Sequence, residues 1–71
     1  MGDVQRIDRL NTKIRLIEAC IVQTQTERNA LNVQMRQSFG EVFLDLFQQV
    51  AELDDLIFKL RKEKQRIQNL I

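Results

Sequence analysis

Four groups of side chains in this chain have types or spacings that could do chemistry. They are the thiol of Cys20, the adjacent carboxylates Asp54 and Asp55, the basic run Lys59–Arg66, and the pair Ser38 and Glu41. A cysteine nucleophile needs a neighbouring base or cation to hold it as thiolate. Cys20 lies between Ala19 and Ile21, and the chain has no histidine. It reads as a buried structural thiol. Adjacent residues on a helix point about 100° apart, so Asp54 and Asp55 offer one metal ion a poor shared site. The run KLRKEKQR could meet phosphates, yet no aromatic residue is interleaved with it for base stacking. It also follows the apolar repeat instead of preceding it, the reverse of a basic-region zipper. Ser38 and Glu41 have the S-x-x-E spacing of a helix capping box, which is structural. No glycine-rich phosphate loop or paired catalytic constellation is present. The expectation is no enzyme, no metal and no cofactor.

The elements that hold these residues follow from composition. The chain has 71 residues, one cysteine, no proline and two glycines. Neither a disulfide nor a Cys/His zinc cluster can staple it. A chain this short buries little of its surface, so a partner chain is the expected supplement to its core. Leu, Gln, Arg, Glu and Lys are good helix formers, and no segment alternates with period two for long. The class is all-α, one helical coiled-coil or bundle module over residues 1–71. The net charge of +1 shows no gross bias toward nucleic acid or acidic membrane. No apolar run approaches the ~18–20 residues of a membrane span. MGDVQR lacks the Ser or Thr at its sixth position that myristoylation uses, and no signal-peptide core is visible. The chain is expected to be intracellular, in the cytoplasm, with the nucleus left open.

Two apolar seams run along it. Ile7, Leu10, Ile14, Ile17, Ile21, Thr24, Arg28, Leu31 and Met35 repeat with steps of 3 and 4. Phe43, Leu46, Val50, Leu53, Ile57, Leu60, Lys64, Ile67 and Ile71 do the same. In heptad notation Ile7, Ile14, Ile21, Arg28 and Met35 are a positions of the first, and Phe43, Val50, Ile57, Lys64 and Ile71 of the second. Met35 and Phe43 are eight residues apart rather than seven, so the phase slips across Ser38-Phe39-Gly40. A coiled-coil-like antiparallel hairpin accounts for the slip, with helices at about 4–37 and 41–71. Gly40 suits a left-handed turn, Ser38 and Glu41 suit a cap, and the arms are nearly equal. The alternative is one long continuous coiled-coil helix carrying a phase shift at 38–40.

Thr24, Arg28 and Lys64 interrupt the seams and are the candidates for setting register. Like charges at a positions oppose a parallel, in-register homodimer. In the hairpin, Arg28 would lie near Val50 within reach of Glu52 or Asp54, and Lys64 near Ile14, its head reaching solvent. The apolar face is too wide for one partner helix. Ile14, Ile17, Ile21, Phe43, Leu46, Phe47, Val50, Leu53, Leu56, Ile57, Phe58 and Leu60 form the candidate interface, and Leu44, Ala51 and Phe58 recur every seven residues on a further face. Residues 38–55 carry a net −5, residues 56–71 a net +4 and residues 1–17 a net +2. A hairpin would gather the bases at its open end. That charge also suits the dipole of the second helix, the simpler explanation. The function expected is structural: a module that oligomerises with itself or docks on helices of another protein as a small subunit or adaptor. The alternative is a small regulatory nucleic-acid binder using the basic ends.

Overall fold

The structure, a computed structural model, describes residues 2–71. The chain folds into two helices, α1 (Gly2–Arg36) and α2 (Gly40–Gln68), which pack against each other antiparallel. The hairpin is therefore the architecture, and the seams are not carried through one rod. Its Cα extents are 59 × 15 × 11 Å and its radius of gyration is 16.6 Å. A compact chain of this length would have a radius of gyration near 11 Å.

Each arm is helical for the reason its composition gives, and the turn is built from three residues, 37–39. The N–H groups of Gln37 and Ser38 donate to the carbonyls of Gln34 and Met35, each at 3.1 Å, which tightens the exit of α1. The Ser38 hydroxyl donates to the Gln34 carbonyl at 2.7 Å. This corrects the capping box. Ser38 still belongs to the winding end of α1, so its side chain turns back and not forward. The N-cap of α2 is Phe39, extended at φ −135° and ψ 159°, with no side-chain cap bond. Glu41 lies in the first turn of α2, where its charge favours the helix dipole. Gly40 does take the left-handed conformation, φ 63°, but it opens α2 instead of closing α1. A Cβ there would meet nothing within 4 Å. The need for glycine is conformational, and Gly40→Ala is expected to cost about 1–2 kcal/mol in a melting curve.

The second arm ends earlier than its seam suggests. Leu70 and Ile71 donate to carbonyls three residues back and leave the helix, so Ile71 is exposed and adds nothing to the core. The core is a thin stripe: Ile14, Ile21 and Thr24 from α1 against Val50, Ile57 and Ile67 from α2. Ile17, Leu31, Leu46, Leu53 and Leu60 are half-buried around it. Among the described residues no side chain is less than 2 % exposed. Thr24 is tolerated in the stripe because its hydroxyl donates to the Cys20 carbonyl at 2.7 Å. Spin labels at residues 10 and 67 are expected within about 15 Å of each other by dipolar spectroscopy, where an unbroken helix would hold them over ~80 Å apart.

Candidate interaction surface

The candidate residues divide between the two sides of the seam. Ile14, Ile21, Val50 and Ile57 are buried within the hairpin, and Ile17, Leu46, Leu53 and Leu60 half-buried. Phe47, Leu56 and Phe58 stay exposed, and Phe43, an a residue at the turn end of the seam, is 36 % exposed. Phe39, at the turn, is 88 % exposed and closes nothing. Cys20 is exposed too, contrary to the buried thiol expected. A g position is covered only where a second neighbour lies beside the pair, and a lone hairpin supplies none.

The register residues form two ion pairs between the arms. Arg28 Nε donates to Asp54 Oδ1 at 2.8 Å, and Lys64 Nζ lies 3.1 Å from Glu18 Oε1. Each joins a basic a residue of one helix to an acidic e residue of the other, with opposite polarity. The e row of α1 reads Val4, Asn11, Glu18, Gln25 and Asn32, and that of α2 reads Phe47, Asp54, Arg61 and Gln68. Each row holds a single acid, so a slip of one heptad would leave both bases unpaired. Asp54 is legible in the sequence beside Glu52. Glu18 is not among the residues singled out there, although its place as the sole acid of its row is a usable signal. The side chains of these pairs are 37 % and 50 % exposed for Arg28 and Asp54, 30 % and 49 % for Lys64 and Glu18. Solvent screens them, and a double-mutant cycle on Arg28→Ala and Asp54→Ala is expected to return a coupling of about 0.2–1 kcal/mol. The pairs set register more than they add stability.

Both ion pairs lie on one face of the hairpin. A shallow groove there is lined by Gln25, Arg28, Asp54, Ile57, Phe58 and Arg61. It runs on past Glu18, Val22 and Lys64 toward the open end. The same face of α2 carries an outward row, Leu44 (63 % exposed), Phe47 (55 %), Ala51 and Phe58 (56 %). These are b and e positions, again stepping by 3 and 4 with Asp54 completing the repeat. The Phe43 and Phe47 rings stack at 6.2 Å between centroids and 26° between planes. Lys62 Nζ sits 4.6 Å over the Phe58 ring, a cation–π contact at the row's basic end.

Most of the basic residues lie toward the open end, Arg28 and Arg36 excepted. Arg6, Arg9 and Lys13 flank a small surface hollow on α1. On α2, Arg66 Nε donates to Glu63 Oε2 at 3.0 Å. That hydrogen bond, with the charges of Arg66 and of Lys13 across the seam, holds the Glu63 carboxyl below its ordinary pKa. The same bond raises the Arg66 guanidinium. Among the described residues no three His, Cys, Asp or Glu side chains gather as metal ligands, and no helix is long and apolar enough to cross a membrane. No known family, curated protein or solved structure matches the chain.

Proposed function

We propose that this hairpin is a non-enzymatic protein–protein interaction module of the cell interior, one that self-associates or docks on helices of a larger assembly as a small coiled-coil subunit or adaptor. One observation carries the reading: α2 presents a second heptad-spaced apolar row outward, on the face that α1 does not cover. Contiguous exposed apolar rows on small folds mark partner surfaces. Burying one phenylalanine contributes about 1.5–3 kcal/mol, which several such residues together can set against the cost of association.

Phe47→Asp tests this. The substitution is expected to lower the solution mass toward 8.4 kDa, or to lower the melting temperature where association supports folding. An unchanged mass together with an unchanged melting curve overturns the reading. The open-end bases support the alternative of phosphate contact. It predicts oligonucleotide affinity that falls steeply between low and moderate salt, whereas apolar association hardly changes.

A further inference from the structure

We infer that the outward row of α2 seats on the same row of a second copy, antiparallel, to give a two-fold dimer of hairpins; this rests on the interaction reading above. The first ground is area. The hairpin exposes 5729 Å², whereas a compact monomer of its mass would expose about 4600 Å². The excess exceeds the ~800 Å² that each partner contributes to a standard interface. The second ground is self-complementarity. With the dyad between Ala51 and Asp54, Phe47 of one copy meets Phe58 of the other, and the small Ala51 sits at the closest approach. Each Asp54 near the dyad is already paired with its own Arg28.

The third ground is charge, and it sets direction. The f row beside the apolar row reads Glu41, Gln48, Asp55 and Lys62. Antiparallel packing about that dyad brings Glu41 of each copy beside Lys62 of the other. Parallel two-fold packing would put the two f rows on opposite sides of the contact, so Glu41 and Lys62 would not meet across it. On the larger scale, the net −5 of residues 38–55 lies along the net +4 of residues 56–71 of the second copy. A helix from an unrelated protein has no reason to match this internal antisymmetry, whereas a second copy matches it by construction.

Sedimentation equilibrium on the whole chain is the test. The wild-type mass is expected at twice 8.4 kDa. Glu41→Lys and Lys62→Glu should each weaken the dimer by several-fold at low salt, and the two together in one chain should restore it. In a parallel dimer the f rows lie on opposite sides of the contact and do not meet, so unchanged association by both singles overturns the direction. A second measurement avoids charge altogether. In a Cys20→Ser background, chains carrying Phe47→Cys are mixed with chains carrying Phe58→Cys and oxidised. A predominant 47–58 heterodisulfide is the expected result, since disulfides need Cβ atoms about 3.5–4.5 Å apart. Predominant homodisulfides, or none, overturn the geometry while leaving the interaction reading in place. A wild-type mass of one chain at all concentrations overturns the second copy as occupant. The interaction reading itself is judged separately, by whether Phe47→Asp changes mass or melting.

Discussion

Ile57→Ala is expected to destabilise the folded chain by about 2–4 kcal/mol, enough to unfold most of it at room temperature. Among the described residues Ile57 is one of only five buried apolar side chains, and it sits mid-seam among Ile21, Thr24 and Val50. The lost methyl groups cannot be replaced, because the only other layer is the facing helix. The seam is also thin enough for water to fill part of the gap, which keeps the effect below the upper end of the range for isoleucine. Small chains without staples hold only a few kcal/mol of stability, so this loss is comparable with the whole. Leu16→Ala is the control. Leu16 is equally apolar but exposed at a c position, outside both the seam and the outward row of α2. It is expected to move stability by less than about 0.5 kcal/mol. Urea titration followed by helical circular dichroism reads both. Equal effects from the two substitutions would show that the a/d seam is not the core.

The contrast between Ile57 and Leu16 follows from the 3-4 repeat alone. Such a repeat has one physical meaning, and every described residue with a buried apolar side chain lies on it. The one-residue slip between the seams is equally legible, because phase is arithmetic. Cys20 and Ser38 depart from expectation for a shared reason: each depends on how many neighbours a helix has or where one backbone turn begins. A g-position thiol is covered in a bundle and bare in a hairpin. A serine three residues before a glutamate caps a helix only if the helix starts next to it, and α2 starts after Phe39. Spacing along one arm leaves Lys64 merely reaching solvent. Its partner Glu18 emerges only when side-chain direction is followed across the antiparallel pair. Helix-dipole compensation fits Glu41 and Arg66, which lie in the terminal turns of α2. It does not account for Asp54, which sits mid-helix and holds Arg28 across the seam.

Gly40 matters in two ways at once, and deleting it separates them. Its removal takes away the left-handed residue and also shortens the Met35–Phe43 spacing to seven, so the seams share one phase. The chain then specifies an unbroken heptad as well as a hairpin. What still opposes the rod is charge: Arg28 and Lys64 would each face its own copy in a parallel coiled coil, while the hairpin gives them Asp54 and Glu18. Deleting Gly40 alone is therefore expected to leave a destabilised hairpin. Adding Arg28→Leu and Lys64→Leu removes the last preference for folding back. For that triple variant small-angle scattering is expected to show a maximum dimension near ~100 Å, the length of about 70 residues at ~1.5 Å each, against the 59 Å extent of the hairpin. Arg28→Leu and Lys64→Leu with Gly40 retained should keep the short form, because the seams remain out of phase. If the triple variant stays short, contacts between the arms hold the fold closed without help from glycine or phase. Ile57→Ala added to it should then open the chain, since that contact lies across the arms.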